Sequence, residues 1–162
     1  AKVQYFFEIC NTALTDTYIV GYINEIISGG IEYILYCCGL PRPSRLVLNK
    51  SFKRFSIEKI SDLRYKLQLP ETGFIDNAKA AKGLTQAKQE TEIDKYQEFY
   101  YQSVLARNLF FGHMFSSVLL TIIIGWSWTL YLSTLIIAAL LCWQWWKMNL
   151  VYVKKIFIEY LK

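Results

Sequence analysis

His113 is the chain's only histidine, and imidazole is the side chain best suited to ligating a haem iron, meeting a quinone or passing a proton near neutral pH. It stands near the start of a long run without charged side chains, where an ionisable group is a functional candidate by default. One histidine cannot build a bis-histidine haem, so a cofactor-bearing reading of His113 needs a residue from a partner. Close to a membrane surface an imidazole also meets water or a headgroup without doing chemistry.

The other reactive side chains are not arranged for turnover. Asp94 and Glu98 are four residues apart, but Lys88 and Lys95 lie beside them on a polar helix, which reads as a solvated face. No glycine-rich phosphate loop, nucleophile elbow or metal-ligand spacing is present. The four cysteines are Cys10, Cys37, Cys38 and Cys142; adjacent thiols bridge each other poorly, and the pattern predicts free thiols in a reducing compartment. The expectation is a chain that is not an enzyme and holds neither metal nor cofactor.

A different chemistry is offered by Arg42, Arg45, Lys50, Lys53, Arg54 and Lys59, interleaved with Leu46, Val47, Leu48, Phe52 and Phe55. Cations among apolar side chains can bind nucleic acid, phosphoinositides or cardiolipin. Beside a membrane segment the lipid or acidic-partner reading is favoured and nucleic acid is not expected. Arg42, Arg45, Lys50, Lys53 and Arg54, with Lys147, are the predicted contacts to anionic phospholipid such as cardiolipin or to a partner.

What must position these groups is the run from Asn108 to Trp146, 39 residues without Asp, Glu, Lys or Arg. A hydrocarbon layer about 30 Å thick takes about 20 helical residues, so a single span leaves nearly half the run unused. The run must turn, and Gly125-Trp126-Ser127-Trp128-Thr129 supplies a flexible backbone, hydroxyls and two interfacial indoles. Two short spans are predicted, about 108–124 and 130–146, or one span with an interfacial helix. Trp126 and Trp128 anchor one interface and Trp143, Trp145 and Trp146 the other. Small residues four apart, Ser117, Thr121 and Gly125 on the first span and Thr134, Ala138 and Cys142 on the second, allow close helix packing, either within the hairpin or against a neighbour.

The overall charge of +5 is unevenly spread. Residues 1–40 hold one lysine against four carboxylates, a net of −3; residues 41–108 hold 13 basic and 8 acidic side chains, a net of +5; the tail from Lys147 holds four lysines and Glu159, a net of +3. Both flanks of the hairpin are basic while its turn is uncharged, which places both flanks on the cytoplasm-like side, the matrix in a mitochondrion.

Read in order, residues 1–40 form an acidic amphipathic helical arm, with a break expected near Gly21 and a stop at Gly29-Gly30, and a second short apolar element ending at Cys37-Cys38-Gly39. Residues 41–84 form a basic connector and short helices: Pro41 and Pro43 enforce an extended stretch over 40–45, Ser56 caps a helix that ends before Pro70, and Asp76 caps a stretch that Gly83 interrupts. Residues 85–162 form a long helix restarting at Thr85, entering the hairpin and leaving it as an amphipathic extension. The fold class is all-α membrane protein, a transmembrane hairpin with amphipathic and peripheral helices. The start at Ala1 fits a processed import precursor and a trimmed chain equally well.

An anchor, an acidic arm, a basic loop and helical extensions without a reaction centre specify attachment. In architecture this resembles small accessory subunits of mitochondrial inner-membrane complexes, the respiratory chain or ATP synthase, which implies a non-catalytic subunit holding neighbouring subunits and lipid. The alternatives are a membrane-shaping hairpin of the endoplasmic reticulum, similar to reticulon-like proteins but with one hairpin, and a cofactor-bearing membrane subunit using His113.

Overall fold

The computed structural model describes residues 2–50, 55–125 and 127–162, with side chains from Val20 onward except Ile124. Among these residues the chain is all-helical: α1 (Lys2–Cys37), α2 (Pro43–Asn49), α3 (Ile57–Lys66), α4 (Asn77–Glu90), a 3-10 turn (Ile93–Tyr96), α5 (Gln97–Ile124) and α6 (Trp128–Tyr160).

Helices α5 and α6 form the predicted hairpin, and both are long and apolar enough to cross a membrane. The chain reverses at Gly125, whose φ of 90° is a conformation open to glycine and strained for other residues. At about 1.5 Å per residue, 28 residues of α5 and 33 of α6 reach roughly 42 and 50 Å, well beyond a hydrocarbon layer. Because the turn fixes one end, the surplus of both helices overhangs at the other.

One seam holds the hairpin together. On α5 it runs through Ser103, Ala106, Phe110, His113, Ser117 and Thr121, and on α6 through Leu130, Thr134, Ala138, Leu141 and Trp145, all buried or half-buried at spacings of three or four residues. The Thr134 hydroxyl donates to Ser117 Oγ at 3.1 Å, and the Ser103 hydroxyl donates to the Trp145 carbonyl at 3.4 Å, which fixes the antiparallel register. The opposite faces stay open: Phe115, Ile122 and Ile123 are 67, 74 and 78 % exposed.

The overhang of α6 is the wall of a small core. Val47 and Leu48 of α2, Ile60 and Leu63 of α3, Ala80 and Ala87 of α4, and Phe55, Leu67 and Ile75 from the connections bury against Tyr152, Val153, Ile156 and Phe157. Ser56 caps α3 by accepting from the Lys59 amide, and Asp76 caps α4 by accepting from the Lys79 amide. Arg64, only 8 % exposed, organises the 67–75 connection: its guanidinium donates to the carbonyls of Leu48, Pro70, Glu71 and Gly73. Asn49 acts like a short piece of strand, exchanging hydrogen bonds with the Ile75 amide and carbonyl at 2.9 and 2.8 Å.

Several local expectations fail for packing reasons. Helix α1 passes through Gly29-Gly30 without a stop, and Gly29 faces the Arg107 guanidinium, 3.8 Å from where a Cβ would lie. Gly83 does not interrupt α4; its missing side chain makes room for Leu67 and Leu69. Pro43 opens α2 in its first turn, where proline has no amide to lose, so the extended connector is shorter than residues 40–45. Helix α4 ends at Glu90 and the 3-10 turn separates it from α5, so the first hairpin helix starts at Gln97; Thr85 restarts nothing and donates to the Ala81 carbonyl.

Candidate functional site

The polar faces of α1 and α5 meet at the base of the hairpin. Asn24, Ser28, Glu32 and Tyr36 recur every fourth residue and so form one stripe along α1. The Asn24 amide donates to the Asn108 carbonyl at 2.9 Å, the Ser28 hydroxyl to Asn108 Oδ1 at 2.5 Å, and Arg107 Nη1 to Glu32 Oε2 at 2.6 Å. Descending numbers on α1 meet ascending numbers on α5, so the helices are antiparallel where they touch. The Glu32–Arg107 pair is sheltered, with the two side chains 14 and 12 % exposed. Tyr36 donates to the other Glu32 oxygen at 2.8 Å; burial first, and then the Glu32 charge, push its phenol well above the ordinary tyrosine range.

With its polar stripe turned inward, α1 presents its apolar side outward. Ile23, Ile26, Ile27, Tyr33 and Ile34 are each about half exposed or more. This reverses the arrangement that water imposes on a surface helix.

Beside the junction lies an open cleft of about 350 Å³ to which α1, α2, α4, α5 and α6 all contribute. Arg42 and Lys88 line it, with Tyr33, Tyr100 and Asn149. Arg42 lies over the Tyr36 ring at 4.9 Å, and its Nε is buried without a hydrogen-bond partner. Lys88 lies 5.0 Å from the centre of the Tyr152 ring and 5.8 Å from that of Tyr100, and burial lowers its pKa. Asn77 holds the wall in place: its amide donates to the carbonyls of Tyr36 and Leu40, and its oxygen accepts from the Arg42 amide.

The predicted lipid contacts among the described residues have different neighbours. Arg42 enters the cleft; Arg45 stacks over Phe74 at 4.6 Å; Lys50 and Lys147 are exposed elsewhere; Lys53 and Arg54 lie outside the described residues. Lys88 joins Arg42 in the lining of the cleft and Arg107 pairs with Glu32 beside it; sequence reasoning left both out of the site. Lys88 reads as part of a solvated helix face until α4 packs on the α6 overhang, and Arg107 reads only as the border of the uncharged run.

The predicted packing residues divide similarly. Ser117, Thr121 and Thr134 lie on the hairpin seam, Gly125 makes the turn, and half-buried Ala138 lines a shallow gap with Phe110 and Met114. Of the predicted interface anchors, Trp128 and Trp143 are 70 and 66 % exposed and Trp146 is half-buried. Trp145 instead is buried inside the hairpin against Phe110 and Phe111, because its position falls on the seam; Trp126 lies outside the described residues. His113 Nε2 is buried without a hydrogen-bond partner, in a niche shared with Asn24 and Asn108. Cys37, Cys38 and Cys142 are free and exposed. Among the described residues no group of three His, Cys, Asp or Glu side chains could hold a metal ion.

Fold and site together define an all-helical chain with a hairpin apolar enough to cross a membrane and a polar, cation-lined junction at its base. No family model, curated protein or solved structure matches it.

Proposed function

We propose that this chain is an all-α membrane protein and a non-catalytic accessory subunit of a mitochondrial inner-membrane energy-transducing complex, either the respiratory chain or ATP synthase. Both flanks of the hairpin lie on the matrix side, and the chain holds neighbouring subunits and lipid together. The observation that carries this reading is the reversed amphipathicity of α1. Its polar stripe is spent on Arg107 and Asn108, while Ile23, Ile26, Ile27 and Ile34 face outward beside the open faces of the hairpin. Together these faces leave many large apolar side chains exposed, which marks a surface made for contact with lipid or protein. In lipid, or under the helices of neighbouring subunits, the same surface is satisfied, and the inward polar stripe no longer conflicts with its surroundings.

The orientation rests on the basic flanks and the uncharged turn. The mitochondrial assignment rests on architecture: a small helical chain with no reaction centre, built to adhere on several sides. Blue native electrophoresis of gently solubilised membranes, followed by mass spectrometry of the band that holds the chain, tests it. Co-migration with respiratory or ATP synthase subunits is the expected result, and the named neighbours identify the complex. Migration as a small species or a self-oligomer overturns the reading.

One observation favours a second reading, a cofactor-bearing membrane subunit. The buried Nε2 of His113 has no hydrogen-bond partner among the described residues, and such a nitrogen is available to a ligand. Unchanged absorbance and activity of the parent complex in a His113→Ala variant removes that reading.

A further inference from the structure

The cleft at the base of the hairpin holds two cations, Arg42 and Lys88, without an ion-pair partner among the described residues. The one carboxylate in the lining, Glu32, already has a cationic partner: one oxygen accepts from Arg107 and the other from the Tyr36 hydroxyl. The cleft therefore carries an excess of positive charge, and an orphaned guanidinium nitrogen lies buried in its wall. Burying unpaired charge costs free energy unless a counter-charge occupies the space.

We infer that this cleft binds a phosphate group through Arg42 and Lys88, with hydroxyl and amide donors available on Tyr33, Tyr100 and Asn149. Guanidinium and ammonium groups are complementary to phosphate oxygens, the first as a planar fork and the second as a point charge. A cleft of about 350 Å³ has room for a phosphate and its ester substituent but not for a folded partner.

Depth gives the source. At about 1.5 Å per residue, Asn149 lies roughly 4.5 Å beyond the end of the uncharged run along α6, and Tyr100 roughly 12 Å beyond its start along α5. The headgroup layer of a bilayer occupies roughly the first 5–8 Å outside the hydrocarbon on each side. A phospholipid phosphate in that layer is level with the Asn149 side of the cleft, its acyl chains lying along the open faces of α1 and the hairpin, while Tyr100 closes the side of the cleft farther from the hydrocarbon. This source rests on the membrane reading of the hairpin; the phosphate site itself rests only on the cleft.

The test uses the full chain purified in mild detergent. Native mass spectrometry measures retained lipid after exchange into nanodiscs of phosphatidylcholine with or without phosphatidylglycerol. Titration with inorganic phosphate and with glycerol phosphate, followed by Tyr and Trp fluorescence, probes the free ligand. Arg42→Gln and Lys88→Gln are the variants, with circular dichroism reporting that the helices persist. Each substitution is expected to weaken binding about tenfold through loss of a charge-assisted hydrogen bond. Retention of phosphatidylglycerol that falls in both variants supports the site and its lipid source. Saturable binding of the soluble phosphates that falls in both variants, without retained lipid, supports the site and overturns the lipid source. Lipid and phosphate binding that is absent, or equal in wild type and both folded variants, overturns the proposal. Carbonate extraction of native membranes separates the two claims: release by carbonate overturns the membrane reading, while phosphate binding through Arg42 and Lys88 stands or falls independently.

Discussion

Replacing Glu32 by glutamine should free α1 from the hairpin without unfolding the hairpin itself. Glutamine keeps the shape of the side chain and removes only its charge. The Arg107 side chain, 12 % exposed, is then left with a sheltered positive charge and no counter-ion. Breaking a sheltered pair in this way costs about 3–5 kcal/mol. Asn108 Oδ1 remains within 3.4 Å of Arg107 Nε and Nη2 and offsets part of the loss, so we take about 3 kcal/mol, the lower end of that range. The other polar links, from Asn24 and Ser28 to Asn108, are local hydrogen bonds worth about 1 kcal/mol each. The cost therefore falls on the attachment of α1, and the α1 opening equilibrium should rise by about two orders of magnitude. Hydrogen–deuterium exchange of the full chain in nanodiscs, read by mass spectrometry, reports this directly. Amides between Val20 and Cys37 should exchange faster, while the α5–α6 seam keeps its protection. An E32Q/R107M double variant should recover most of the loss, because removing both charges leaves none stranded. Exchange in α1 within about threefold of wild type in the single variant, or equal loosening of the hairpin, would show that the pair does not hold α1.

Three further outcomes are expected. Arg64→Met should lower the stability of the small core by about 3 kcal/mol, since the buried Leu48 carbonyl and the partly buried carbonyls of Glu71 and Gly73 lose their donor, and Arg64→Lys should restore little because an ammonium lacks the planar fork; thermal denaturation followed by circular dichroism checks both. Gly125→Ala should cost about 1–3 kcal/mol at a φ of 90°, seen as easier separation of α5 and α6 in a denaturing-detergent titration. The hydrogen bonds from Lys162, and then from Tyr96, hold the Glu159 carboxyl below the usual carboxylate range, so its contribution is present above the unfolded pKa and lost as pH falls through the lower folded one. Amide exchange around Tyr96 and Leu161 should accordingly rise only in acid, below the ordinary titration range of a free carboxylate, and Glu159→Gln should abolish that pH dependence.

The hairpin was legible in the sequence because its cause is local and one-dimensional. An uncharged run, a glycine-centred break and flanking cations specify two apolar helices and a reversal, whatever the rest of the chain does. The caps at Ser56 and Asp76 were legible for the same reason, since a capping side chain bonds an amide three residues on. Gly29-Gly30 and Gly83 misled because a glycine that breaks a helix and a glycine that admits a neighbour are the same letter. What distinguishes them is Arg107 or Leu67 arriving from a distant segment. The seam could be anticipated only in part: small residues at four-residue spacing mark Ser117 and Thr134 as packing residues, but not that Trp145 falls on the same line.

The cleft was illegible for a deeper reason. Its cations, Arg42 and Lys88, lie on separate helices, and neither stands out from the surface lysines and arginines around it. Only when Asn77 pins the end of α1 to α4 and the α6 overhang gathers the short helices do the two side chains share a lining. The polar stripe of α1 was visible as Asn24, Ser28, Glu32 and Tyr36, yet periodicity gives the angle of a stripe and not the medium it faces. In water that stripe would turn outward and the isoleucines inward. Its inward turn, against Arg107 at the border of the uncharged run, is what makes the outward apolar face, the attachment of α1 and the unpaired charge in the cleft consequences of one arrangement.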